Sequence, residues 1–178
     1  MKIFLILIVS LFIINNAHAR HYVGLSAFDI TVQPSSKDND VENYKNSGNG
    51  LGLQYGYLLN SYAPEISYKV YKIDGTTNEL SITSKYVNIG FRLFIGWFSF
   101  KLGVAINDSV GETQGGAVKY ESSNTTLSYG LGGKYRFDWL NNEWDLFGDL
   151  NIHSVEDKNI VDSNFIMREL EVGLRYWF

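Results

Sequence analysis

His153 and Ser154, followed by Glu156 and Asp157, form the one stretch where an imidazole, a hydroxyl and carboxylates crowd together. A trio of that kind could hydrolyse an acyl ester, the histidine taking the serine proton and the acid orienting the ring. The spacing opposes it, because neighbouring residues of an extended chain point to opposite sides. With three histidines and no cysteine, the chain has no thiol nucleophile or disulfide, and a zinc constellation is not expected. No cofactor is expected either. Gly48-Asn49-Gly50-Leu51-Gly52 and Gly130-Leu131-Gly132-Gly133-Lys134 look superficially like phosphate loops. Both lie in strand-like sequence with no helix behind them, so neither can offer helix N-terminal amides to a phosphate. Two basic residues, Lys72 and Arg168, remain as candidates for phosphate contact.

The elements that position these residues alternate with a period of two. At the carboxyl end, Leu170, Val172, Leu174, Tyr176 and Phe178 share one face, opposite Glu169, Glu171, Gly173, Arg175 and Trp177. The nine residues from Leu170 to Phe178 rise roughly 26 Å, or about 20 Å along the membrane normal at a barrel tilt. Seven further stretches alternate in the same way: His21 to Thr31, Gly50 to Leu59, Ala63 to Ile73, a strand ending at Leu93, one starting near Phe98, one centred on Leu127 to Phe137, and one from Trp144 to His153. Eight antiparallel strands joined in sequence predict an all-β, up-and-down transmembrane β-barrel.

At the amino terminus, Lys2, the apolar run Ile3 to Ile14, and Ala17 and Ala19 predict a signal peptide over 1–19, followed by one barrel domain over 20–178. Loss of Lys2 with the leader takes the formal charge from −4 to about −5, which disfavours nucleic acid as a partner.

Three features choose the outward face. The polar face is crowded with glycine, serine and alanine, as the narrow interior of a small barrel requires. The connections near Asn60, Gly96 and Asn141 are short, whereas Val32 to Asn49 and Asp108 to Asn124 are predicted as long polar loops. Aromatic residues gather at the short-turn end, among them Tyr57, Tyr62, Trp97, Phe98, Trp139, Trp144, Tyr176, Trp177 and Phe178, as a membrane-boundary girdle would. The apolar face therefore looks out to lipid. The interior then holds Lys69, Arg92, Lys101, Lys134, Arg136 and Arg175 against Glu65, Asp145, Asp149, Glu169 and Glu171. Buried charges must be paired, so these are expected to form a closed polar plug, with Asp145 and Asp149 beside Lys134, Arg136 and Arg175 of the adjacent strands. Lys72 and Arg168 fall on the outward parity near the loop ends, where lipopolysaccharide phosphates lie. The long loops are acidic on balance, which disfavours a heparin-like partner.

Tyr22-Val23-Gly24-Leu25-Ser26, Gly50-Leu51-Gly52-Leu53-Gln54-Tyr55 and Val172-Gly173-Leu174-Arg175-Tyr176-Trp177-Phe178 resemble the eight-stranded outer-membrane barrels of the OmpX and Ail type and the membrane domain of OmpA. The closing stretch, with Leu170, Val172, Gly173, Leu174, Tyr176 and Phe178, resembles the signal read by the outer-membrane barrel assembly machinery. The resemblance implies a monomeric surface or envelope-integrity protein, in contact with outer-membrane lipid and lipopolysaccharide, its loops open to a host or surface ligand. A lipid A deacylase or acyltransferase is the enzymatic alternative, and a small solute channel the third. The deacylase pattern places its serine two residues after the histidine, and Val155 stands there.

Overall fold

The computed structural model describes residues 20–34, 46–74, 80–113, 119–137, 143–157 and 163–178. The signal-peptide expectation for 1–19, Trp139, and much of the loop sequence lie outside them. Eight strands follow one another: β1 (Arg20–Pro34), β2 (Asn46–Leu58), β3 (Tyr62–Asp74), β4 (Leu80–Ile95), β5 (Phe98–Thr113), β6 (Lys119–Arg136), β7 (Trp144–Asp157) and β8 (Ser163–Trp177). Each pairs antiparallel with its neighbours, and β8 returns to β1 to close the barrel. The seam is secured at its short-turn end, the end expected to face the periplasm, by two backbone hydrogen bonds of 2.9 Å exchanged between His21 and Phe178.

The register fixes the tilt. Following paired residues once round the wall from Tyr22, through Gly56, Glu65, Gly90, Gly103, Ser128, His153 and Met167, returns to β1 at Val32, ten residues further along. A stagger of that size over eight strands inclines them by about 40° to the axis. The short β2–β3 and β4–β5 connections use left-handed residues, Asn60 (φ 57°) and Gly96 (φ 61°). Asparagine and glycine tolerate that conformation best.

Alternation holds on every strand: Leu25, Leu51, Ile89, Leu102, Leu131 and Val172 are exposed on the outside, while Ser67, Asn88, Asp149 and Glu171 are buried within. The structure differs from the sequence expectation in three ways. The strands run beyond the apolar band, so Val32 to Pro34, Asn46 to Asn49, Asp108 to Thr113 and Lys119 to Asn124, expected as loop, are strand. Trp177 does not join the girdle: it is fully buried in the lumen. The lumen is also not polar throughout. Phe28, Ile30, Tyr71, Ile73, Tyr86, Ala105 and Met167 form an apolar cluster towards the outer end, and Tyr22, Ala63, Phe94 and Trp177 form a second at the periplasmic end. Glu65, Lys69, Arg92, Asp149, Glu169 and Glu171 are buried in the same lumen.

Candidate functional site

The interior charges pair in tiers, mostly across the lumen. In the lower tier Arg92, entirely buried, reaches Glu65 (2.7 Å) on its neighbour β3 and Asp149 (2.6 and 2.9 Å) on β7. It also donates to Ser99 at 3.0 Å. Lys101 adds a second cation to Glu65 at 2.8 Å, and the Tyr22 hydroxyl donates to the same carboxylate. In the upper tier Lys69 bonds both Glu169 and Glu171. Donors from Tyr86, Asn151 and Ser26 complete those two carboxylates. At the periplasmic mouth Asp145 accepts from Arg136 (2.8 Å) and from the Trp177 indole (2.6 Å).

The expected pairing of neighbouring strands is thus met at Arg136 and Asp145, while Asp149 turns to Arg92 across the barrel. Lys134 and Arg175 use aromatic faces instead. Lys134 lies 4.4 Å from the Phe94 ring centre, and Arg175 lies 4.2 Å from that of Phe147 and 4.9 Å from that of Tyr22. A ring face is a suitable neighbour for a surplus cation in a desolvated space, and six cations facing five acids leave one in surplus. Gln54, with its amide turned to suit, accepts from Arg175 at 3.2 and 3.3 Å.

This arrangement suits rigidity rather than turnover. His153 is buried in the lumen beside Tyr86 and 3.8 Å from Glu169, whereas Ser154 is exposed on the outer surface. The wall separates them, so His153 cannot serve as the base for this serine. Glu156 and Asp157 are the last residues of β7. Among the described residues, no group of histidine and acid side chains is arranged to hold a metal ion.

The outward face is where functional groups meet solvent and lipid. Combining register with tilt brings one exposed polar residue from each strand to the same height at the outer boundary of the apolar band: Asp29, Asn49, Lys72, Lys85, Asp108, Thr125, Ser154 and Arg168. Lys72 is paired in register with Asn49 and Thr83, and Arg168 with Thr31 and Ile152. Lys85 was not singled out in the sequence, because the apolar run that marks β4 begins at Val87. Carrying its parity one step outward would have found it. Lys85 lies two residues from the partner of Lys72 and directly opposite Asp108, so the two lysines are diagonal neighbours about 7 Å apart. Asp29, Thr31, Ser47, Asn49 and Lys72 line a polar cavity of ≈ 540 Å³ there.

On β8, Leu170, Val172, Leu174 and Phe178 face outward. Gly173 faces inward, with no room for a Cβ between the Leu25 carbonyl and the Phe147 ring. Tyr176 meets Trp144 at a tilt and stacks on Phe178, and Phe178 stacks on His21, making a continuous aromatic belt across the seam.

The model of the family described as outer membrane protein beta-barrel domain matches residues 4–178. Among solved structures, the chain is similar to Neisserial surface protein A (18% identity, 88% of this chain and 96% of that one, TM-score 0.60). It is also similar to Ail, the attachment invasion locus protein of Yersinia pestis (15% identity, 89% and 99% coverage, TM-score 0.55). No curated protein matches it in sequence.

Proposed function

The chain belongs to the outer membrane protein beta-barrel domain family, and from that premise we propose that it is a non-enzymatic surface barrel whose outer rim contacts lipopolysaccharide. Its place is the bacterial outer membrane. The observation that carries the reading is the placement of Lys72, Lys85 and Arg168, all exposed on the lipid-facing side at the outer edge of the apolar band. A cation on this face costs about 2–4 kcal/mol at mid-membrane and little near the boundary. There an ammonium or guanidinium can donate to a lipid A phosphate. The ion-paired lumen, with an apolar cluster towards each end, supports a rigid rim.

Above the rim, β6 supports a further contact with a surface or host polypeptide. Among the described residues, Asn124 to Thr126 pair with β5 while the β6–β7 ladder begins at Leu127 and Ser154. An unpaired strand edge can accept an extended segment of another chain.

The test is the triple variant Lys72→Gln, Lys85→Gln, Arg168→Gln. Lipopolysaccharide retained through purification should fall by about tenfold or more, the equivalent of one charge-assisted hydrogen bond lost. Unchanged retention would remove the lipopolysaccharide reading. The lipid A mass spectrum should be the same with and without the protein; a difference in acylation would favour the enzymatic reading instead.

A further inference from the structure

At the opposite end of the barrel the outer wall has a dent. The β2–β3 ladder runs without interruption from Ser47 and Asp74 to Gly56 and Glu65. The two backbones meet again where Leu59 and Tyr62 exchange hydrogen bonds of 2.8 and 3.1 Å. Between lie Tyr57 and Leu58 on one strand, Ala63 and Pro64 on the other. Proline brings no amide hydrogen to a ladder, and Pro64 stands at this place. The cavity of ≈ 420 Å³ here is lined by His21, Tyr55, Tyr57, Pro64, Glu65 and Ile66. The Glu65 carboxylate is committed to Arg92 and Lys101 inside the barrel, so the outward lining is aromatic and aliphatic apart from the imidazole and the phenols.

That lining is graded along the membrane normal. Tyr55 faces Ile66 in register, deeper in the apolar band than His21 facing Tyr57. The His21 ring is fixed from three sides. Its Nδ1 lies 2.6 Å from the Tyr55 hydroxyl, its centre is 4.7 Å from that of Tyr57, and it stacks on Phe178 at 5.6 Å and 15°. In the tautomer whose Nδ1 accepts a hydrogen bond from the Tyr55 hydroxyl, Nε2–H is the donor the ring can offer a ligand. A fixed donor at the water boundary below an apolar wall matches an amphipathic ligand with an anionic oxygen at one end and hydrocarbon at the other.

We propose that this dent binds one phospholipid of the periplasmic leaflet, its phosphodiester accepting from His21 and its first acyl methylenes lying against Tyr55, Pro64 and Ile66. The site is independent of Lys72, Lys85 and Arg168, which lie at the other membrane boundary. Nothing in it distinguishes headgroups, so phosphatidylethanolamine and phosphatidylglycerol should bind alike.

Native mass spectrometry of the barrel, extracted from vesicles of either lipid into mild detergent, tests this. The wild type should retain one phospholipid from each vesicle type. His21→Ala with Tyr55→Phe should lower the retained fraction about tenfold or more. Ile66→Trp should do the same by filling the cavity while both hydrogen-bonding groups stay in place, and it carries the test if the double variant does not fold. Tyr135→Leu, a girdle change away from the cavity, should have no effect. Equal retention by all variants, an equal loss in Tyr135→Leu, or retention of one headgroup only would overturn the proposal.

Discussion

Arg92→Met is expected to lower the unfolding free energy of the barrel by about 3–5 kcal/mol, read from urea titration in detergent or lipid vesicles. The side chain is entirely buried and joins β3 to β7 through Glu65 and Asp149. Methionine fills much of the volume but leaves Asp149 without its cation and Glu65 with Lys101 alone. An unpaired carboxylate buried in this lumen lacks compensation for its lost hydration. Adding Asp149→Asn to the same background, with Glu65 left to Lys101, should recover more than half of the loss, since the penalty lies in the uncompensated charge rather than in the lost contact. A single-variant cost below about 1 kcal/mol, the range of solvated surface pairs, would mean that the lumen is wet.

Gly173→Val should prevent closure of the barrel. Gly173 is paired with Ser26 on one side and Phe147 on the other. A Cβ there would stand 2.3 Å from the Leu25 carbonyl oxygen and 2.6 Å from the Phe147 ring. The ring carries the Arg175 guanidinium 4.2 Å from its centre, and the carbonyl belongs to the β1–β8 seam itself. Overpacking usually costs about 1–3 kcal/mol, and a clash with backbone at the closing ladder should reach or pass the upper end. The folded, heat-modifiable band on an unheated gel should be lost or much reduced. Val172→Ala, on the lipid side of the same strand, should leave it intact.

The barrel was legible because one face of each strand meets hydrocarbon and the other does not, so the apolar period survives in Leu51 to Tyr57, Phe98 to Ile106 and Leu170 to Phe178. Where both faces are polar, as in Asp108-Ser109 and Ser122-Ser123-Asn124, no period remains, and these extensions of β5 and β6 look like loop. Trp177 shows parity outranking residue type: moving it outward would slip β8 by one residue and turn Glu169, Glu171 and Arg175 into lipid. The interior charges were visible by parity, but their partners were not. Pairs such as Arg92 with Asp149, or Lys69 with Glu169, join strands that are not neighbours, and only the stagger of the closed wall brings them to one height. The periplasmic dent lies beside a single proline within an otherwise regular ladder, which alternation alone does not reveal.

The central claim, that the apolar face meets lipid around a closed, ion-paired interior, is tested most directly by single-cysteine labelling. The chain has no cysteine of its own, so the background is clean. In vesicles, cysteines replacing Leu53, Leu102, Leu131 and Leu174 should resist a membrane-impermeant maleimide and, carrying a fluorophore, be quenched by brominated lipid. Cysteines replacing Asp108 and Thr125 should label at once. Rapid aqueous labelling at the four leucine positions, with no quenching from lipid, would show that this face is in water and that the barrel does not cross the membrane as described.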